Sequence, residues 1–111
     1  MDESIKIWLA DIQSAIGEIK QFIPLKKDFT WFCNDLKTIR AVERNLEIIG
    51  EAINRIVQKS PGIKLKNTRK IVDTRNRIIH GYDTVSDEIL WAIVIRDLPE
   101  LEKEVNELLD I

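Results

Sequence analysis

Apolar residues recur at helical spacing over most of the chain. Between residues 5 and 23 they lie three or four positions apart, which predicts an amphipathic helix that ends before Pro24. From about Asp35 to Gln58 the same steps predict a long helix packed nearly parallel or antiparallel to another helix. The apolar positions are Ile5, Trp8, Leu9, Ile12, Ile16, Ile19 and Ile23 in the first helix, and Ile39, Val42, Leu46, Ile49, Ile53 and Ile56 in the second.

Two further segments carry helix start and stop signals. Thr30 is placed to cap a short helical turn that runs to Cys33. A third long helix is expected from a cap near Asn67 to His80, and Gly81 is the residue that ends it in a left-handed conformation.

The C-terminal part of the chain predicts a buried helix followed by another. Ser86 is the expected N-cap of a fourth helix, and because Ile89–Ile95 is apolar all round, this helix should be the most buried. Asp97 and Glu100 have the spacing of a capping box, and Pro99 is tolerated in a first turn. The sequence therefore predicts a helix that is kinked or broken before Pro99.

These elements together predict the fold class. No segment alternates apolar and polar residues as a strand does, and 4 Gly and 3 Pro leave little material for tight turns. The length of 111 residues is that of one domain. We expect a single all-α domain over residues 1–111, an antiparallel bundle of four main helices with a kinked or broken C-terminal helix. Gly50 lies inside a helix, where glycine costs about 1 kcal/mol relative to alanine, so we expect another backbone to approach it closely.

Composition excludes several classes of protein and site. A single Cys33 forms no internal disulfide, and one His with one Cys is too few for the usual zinc site. We expect no metal and no cofactor. The first residues lack the basic start and apolar run of a signal peptide. The apolar run 89–95 is far shorter than the ~20 residues of a membrane span. We therefore expect a cytoplasmic protein that does not enter a membrane.

Charge is distributed unevenly along the chain. The net charge is −2, but residues 59–77 hold seven basic residues and one acid, whereas residues 83–111 hold nine acids and two bases. The basic stretch indicates either a surface for a polyanion or a solvated face paired with acids elsewhere in the fold. Within it, Lys70 and Arg77 are candidates for phosphate contacts, although either could be merely solvated.

His80 is the only side chain whose ordinary titration lies near neutrality, so acid–base chemistry, if present, uses it. Asn76 lies four residues earlier on the same helix face and can orient the imidazole. Arg75 is rotated about 140° from His80 on a straight helix, so the two form no tight pair, but their long side chains can converge on a phosphate. The alternative is a His⁺ that only complements the helix dipole and an Arg that only faces solvent.

The sequence then resembles a known family. Residues 75–82 read R-N-R-I-I-H-G-Y, which matches the R-x4-H-x-Y signature of the HepT-like HEPN-domain toxins. Residues 41–52 resemble the second-helix block of that family, and Trp91 with residues 97–101 resembles its C-terminal block. The likeness covers nearly the whole chain, except that residues 63–66 form a longer, more basic loop without the Trp that is common there.

The resemblance implies a metal-independent ribonuclease that acts as a homodimer, with the signature helices of two subunits facing each other across a composite cleft. It implies that Arg75 and His80 are catalytic, that Asn76 supports them, and that the substrate is RNA, including transfer RNA. It also implies a partner nucleotidyltransferase antitoxin, which silences the toxin by attaching AMP to Tyr82.

Elementary chemistry agrees with a dimer, because one His per chain cannot act as base and acid at once, whereas a symmetric dimer presents two. Arg75 would stabilise the charge of the transition state. Glu43 and Glu51 are interpreted as structural partners of basic residues rather than as catalysts. Two alternatives stay open: a non-catalytic HEPN-like module that binds a nucleotide or a partner protein, and a purely structural helical dimer.

Overall fold

The computed structural model describes residues 1–81 and 85–110, and over these residues it is helical without strands, which confirms the predicted fold class. The described residues form six α-helices, of which the second and the fifth are short, and a π-helical segment links the last two. The helices are α1 (Glu3–Phe22), α2 (Phe29–Cys33), α3 (Leu36–Lys59), α4 (Arg69–His80), α5 (Asp87–Ala92), the π segment (Ile93–Asp97) and α6 (Leu98–Leu109).

Helices α1 and α3 form the centre of the core. Every apolar position predicted for α3 is buried, and so are those of α1, apart from Trp8, which is half-buried. The two helices are antiparallel, because Nζ of Lys59 at the end of α3 lies 3.3 Å from the carboxylate of Asp2 at the start of α1. The repeating apolar face of α3 is therefore internal core, and it is not available as a surface for a second subunit.

The remaining long helices pack on either side of this pair. Helix α4 lies against α3, and α6 lies against α1. Gln13 donates to Asn106 at 2.8 Å and Lys20 pairs with Glu102 at 2.6 Å, so α6 runs antiparallel to α1. Because α3 lies between α1 and α4, a groove bounded by those two helices must cross the outer face of α3.

Side-chain caps fix the starts of three helices. The carboxylate of Asp2 accepts from the first-turn N–H groups of Ser4 at 2.7 Å and Ile5 at 3.3 Å in α1. The hydrogen bond from Ser4 is the main reason that the pKa of Asp2 is lowered. Ser86 caps α5 as predicted, accepting from Ile89 N–H at 3.2 Å. The prediction that Thr30 caps α2 is wrong. Asp28 caps α2 instead, and its carboxylate accepts from Thr30 N–H at 2.9 Å. Two residues that can cap a helix lie close together here, and the carboxylate is the one that reaches the free amides.

The ends of α4 are set by different means. No side chain at the start of α4 caps it, and the cap expected near Asn67 is absent. The carboxylate of Glu104 on α6 accepts instead from the backbone N–H groups of Lys66 at 2.9 Å and Asn67 at 3.3 Å. At the other end Gly81 has φ 65° and donates to the carbonyl of Arg77, as predicted for a left-handed C-terminal glycine.

The predicted break before Pro99 takes the form of a π-helical turn inside one continuous helix. Proline lacks an N–H, and its ring clashes with the carbonyl four residues earlier. The π segment Ile93–Asp97 accommodates this, with Leu98 N–H donating to the carbonyl of Ile93. Asp97 makes no side-chain cap hydrogen bond, so the predicted capping box does not form.

The prediction that residues 89–95 form the most buried helix is also wrong. Leu90, Ile93 and Val94 are buried, but Ile95 is 37% exposed. The segment packs on the core along one side, and the larger buried face belongs to α3. Among the helices that the structure describes, none has the length and apolar character to cross a membrane.

Candidate active site on α3 and α4

Arg75 crosses α3 at Gly50. A Cβ built on this glycine would lie 2.6 Å from Cγ and 2.7 Å from Cβ of Arg75, closer than side-chain carbons approach each other. The prediction of a close approach at Gly50 is therefore correct, but the approaching group is the stem of an arginine and not a backbone. The glycine costs α3 some helical stability and in return fixes the position of Arg75.

The guanidinium of Arg75 is held by two acceptors. Its Nη2 donates to Oε2 of Glu51 at 2.5 Å, and its Nη1 donates to Oδ1 of Asn76 at 3.0 Å. The other oxygen of Glu51 accepts from Nε of Arg55 at 3.0 Å. The Arg75 side chain is 19% exposed, and its buried Nε has no hydrogen-bond partner within residues 1–81 and 85–110. The arrangement holds one charged, five-donor group in a fixed orientation.

Glu51 confirms the interpretation of the helix-α3 acids as partners of basic residues. Glu43 fits the same interpretation, since it accepts from Arg40 at 2.8 Å. No local pattern singles out the Glu51–Arg75 pair, because the two residues belong to different helices. The nearest hint is the position of Glu51 directly after Gly50.

Asn76 contacts a different group from the one expected. The sequence suggested that it orients the imidazole of His80, but its side-chain oxygen accepts from Arg75. Its supporting contact is therefore with the guanidinium. His80 is the last residue of α4 and is exposed, at the helix end where the dipole favours a positive charge. Since α4 is helical from Arg75 to His80, the expected rotation of about 140° between them holds, and one chain does not bring them together as a tight pair.

A groove of about 390 Å³ crosses the outer face of α3, within the range of small-ligand sites. Its charges are mixed, because each of two glutamates on α3 is matched by arginine. Nη1 of Arg44 lies 3.3 Å from Glu47, and Glu51 contacts both Arg55 and Arg75. The residues that line the groove include Trp8 and Asp11 of α1, Glu47, Glu51 and Arg55 of α3, and Arg75 of α4.

The other predicted site residues lie outside this groove or outside the described part of the chain. Lys70 and Arg77 are exposed on α4 and do not line the groove. Tyr82, the predicted target of modification, lies outside the described residues. Over the ranges 1–81 and 85–110 no group of three or more His, Cys, Asp or Glu side chains is arranged to hold a metal ion.

Comparison with known proteins assigns a family. The family model described as "Ribonuclease HepT-like" matches residues 12–108. The chain is 36% identical over 109 residues to "Probable ribonuclease HepT" of Thermococcus cleftensis, covering 97% of this chain and 98% of that protein. It is 33% identical over 113 residues to "Putative RNase MJ0127" of Methanocaldococcus jannaschii, covering 96% of this chain and 88% of that one. No solved structure gave a significant match. The match to most of its length, together with these relatives, shows that the chain belongs to the HepT-like ribonuclease family.

Proposed function

We propose that this protein is a metal-independent ribonuclease, the toxin of a cytoplasmic toxin–antitoxin pair, and that it cleaves RNA as a homodimer. The observation that carries the proposal is the held guanidinium of Arg75, braced by Glu51 and Asn76 at the edge of a groove, five residues before the only histidine. Membership of a family whose model is described as ribonuclease supports the same reaction.

The residues divide the chemistry of RNA cleavage between them. The ribose 2′-oxygen attacks the adjacent phosphorus while one His80 removes its proton, and the bond to the 5′-oxygen breaks as a second His80 protonates that oxygen. The products are a 2′,3′-cyclic phosphate and a 5′-hydroxyl. Arg75 stabilises the negative charge that grows on the phosphorane-like transition state, which is the role a metal ion plays in other nucleases.

The need for two imidazoles is the reason for proposing a dimer. Each chain has one His, and a two-fold axis between the α4 helices would place two His80 side chains and two Arg75 side chains around one phosphate. The same symmetry doubles the basic stretch 59–77, from which Lys70 and Arg77 would contact flanking phosphates.

Control of the toxin rests on Tyr82. We propose that a partner nucleotidyltransferase antitoxin attaches AMP to its hydroxyl, two residues after His80. The added phosphates would repel RNA from the cleft and pair with Arg75. Intact-mass measurement of the protein co-expressed with its partner would show the added AMP, and Tyr82→Phe would abolish it.

The test of catalysis compares the wild-type protein with His80→Ala. We expect a loss of at least about 100-fold in cleavage of single-stranded RNA with the fold intact by circular dichroism.

When an excess of His80→Ala subunits is exchanged into the wild type, activity should fall more steeply than the wild-type fraction, because a mixed cleft has only one imidazole. The rate should also show a bell-shaped pH profile. A proportional fall, or flat activity from about pH 5 to 9, contradicts the two-imidazole mechanism. RNA binding without cleavage by the wild type would identify a non-catalytic binding module instead.

A further inference from the structure

Trp8 faces the same groove as Arg75 from the other side of α3. It is half-buried, so part of the indole packs on the core and the rest lines the groove. The neighbouring apolar positions of α1 are the buried aliphatic residues Ile5, Leu9 and Ile12. Trp8 is therefore the one apolar position of α1 that presents an aromatic surface to the groove.

A lysine stands over the indole. Nζ of Lys59 lies 5.8 Å from the Trp8 ring centroid and 3.3 Å from the carboxylate of Asp2. Both side chains of this ion pair are well exposed, so the pair contributes little stability and Lys59 is released from it easily. An aromatic face with a mobile cation beside it is the combination that binds single-stranded nucleic acid, in which the ring stacks on a base and the cation contacts the backbone.

Charge indicates which part of a nucleotide fits each side of the groove. Asp11 lies one helical turn after Trp8, is exposed, and forms no ion pair within the described ranges. A phosphate placed there would be repelled, whereas the N–H groups of a base would find an acceptor. On the α4 side the guanidinium of Arg75 has the opposite preference. The groove therefore accepts a base on α1 and a phosphate on α4.

We propose that Trp8 is a stacking platform for a base that flanks the scissile linkage of single-stranded RNA, and that Lys59 moves from the ring to the adjacent phosphate. Because packed helix axes lie about 8–10 Å apart and α3 separates Trp8 from Arg75, the stacked base is a neighbour of the cleaved linkage rather than part of it. This inference rests on the proposed ribonuclease function and adds a base subsite to it.

The experiment measures binding of a short single-stranded oligoribonucleotide in the His80→Ala background, where it stays uncut. Trp8→Leu should weaken binding roughly 5- to 150-fold, the loss expected for one stacked base. Trp8→Phe should lose much less, because a phenyl ring still stacks and still fills the edge of the core. Trp31→Leu, an indole outside the groove, is the matched control and should leave the affinity unchanged. Tryptophan fluorescence should be quenched by the single strand and much less by a duplex, and Trp8→Phe should remove that quenching.

The kinetic signature separates a binding role from a structural one. With His80 intact, Trp8→Leu should raise KM and leave kcat at saturating RNA nearly unchanged. Equal affinities of the Trp8→Leu and Trp31→Leu variants, or quenching by single strand that persists in Trp8→Phe, would overturn the base subsite while leaving the nuclease in place. If the wild type neither binds nor cuts any RNA, the proposed function fails and the subsite fails with it.

Discussion

Replacing Gly50 with alanine adds one methyl group at the point where Arg75 crosses α3. The new Cβ would lie 2.6, 2.7 and 3.1 Å from Cγ, Cβ and Cδ of Arg75, whereas carbon atoms pack best at about 3.5–4.0 Å. The atoms in the way are the first carbons of the side chain, so movement of its far end brings no relief. A change in the first torsion of Arg75 moves Cγ and Cδ but leaves Cβ in place, so the contact at Cβ is relieved only if α4 moves away from α3, by roughly an ångström.

Two opposing contributions decide the effect on stability. Alanine is better than glycine inside a helix by about 1 kcal/mol, whereas an extra methyl forced into a packed contact costs about 1–3 kcal/mol. We therefore expect Gly50→Ala to lower the free energy of unfolding by up to about 2 kcal/mol. The displaced guanidinium should reduce the rate of RNA cleavage by on the order of 100-fold, the usual effect of a 1 Å error in a catalytic group.

Gly17 supplies the matched control. It also lies inside a long helix, α1, but a Cβ there would meet no heavy atom within 4 Å outside its own helix. Gly17→Ala should therefore raise the free energy of unfolding by about 1 kcal/mol and leave cleavage unchanged. Urea denaturation and single-turnover cleavage measure both effects. If Gly50→Ala is as stabilising as Gly17→Ala and cuts RNA at the wild-type rate, Gly50 does not position Arg75.

Three other changes test separate parts of the structure. Glu51→Gln keeps the shape of the side chain that holds Arg75 but removes its charge, so the rate of cleavage should fall about tenfold. Because the pair is partly exposed, the free energy of unfolding in urea should change by less than about 1 kcal/mol. An unchanged rate would show that the charge on Glu51 does not matter to Arg75. Glu104→Gln leaves one acceptor oxygen for two backbone amides, and it should lower the free energy of unfolding by about 0.5–1.5 kcal/mol and speed hydrogen exchange before α4; wild-type exchange rates there would contradict this. Burial, and to a smaller extent the charge of Asp87, raise the pKa of the Cys33 thiol, so at pH 8 iodoacetamide should alkylate Cys33 more slowly in the folded protein than in the unfolded chain. Asp87→Asn should recover only part of this difference in rate, and full recovery would show that Asp87, not burial, is the larger cause.

The long helices could be predicted because many weak signals add along them. The apolar steps of three and four in α1 and α3 each contribute little, but together they leave one face that must be buried, and the structure buries it. Gly81 and Ser86 were equally predictable, because a left-handed glycine and a serine cap act on amides within a few residues.

Features that depend on distant residues were not predictable in the same way. The connection that leads into α4 is anchored by Glu104, 37 and 38 residues further along the chain, and no residue near Asn67 indicates this contact. The sequence does not decide the cap of α2, because Asp28 and Thr30 can both cap a helix and the choice depends on how the chain leaves α1. At Pro99 the sequence predicted an interruption, but packing of α6 on α1 favours a π turn over a broken helix.

The candidate site shows the same division. Arg75 and His80 are found from the sequence through a signature, and Gly50 through its unfavourable position in a helix. Which side chain contacts which across α3 and α4 depends on the register of the two helices. A shift of one residue would point Glu51 away from Arg75, and no local pattern sets that register.

The way Arg75 is held bears on how it can act. The charge of Arg75 is matched by Glu51, so the groove itself would offer RNA little net positive charge, and affinity would have to come largely from basic residues outside it, such as those of the stretch 59–77. The guanidinium nevertheless has five N–H donors, and the hydrogen bonds to Glu51 and Asn76 use one on each terminal nitrogen. Each terminal nitrogen keeps a second hydrogen, and a phosphate that reached these hydrogens would bind without displacing Glu51 and Asn76. If Arg75 acts as proposed, Glu51 would lower its attraction for the substrate but keep its position fixed while charge develops, and a fixed position lowers a barrier rather than a dissociation constant.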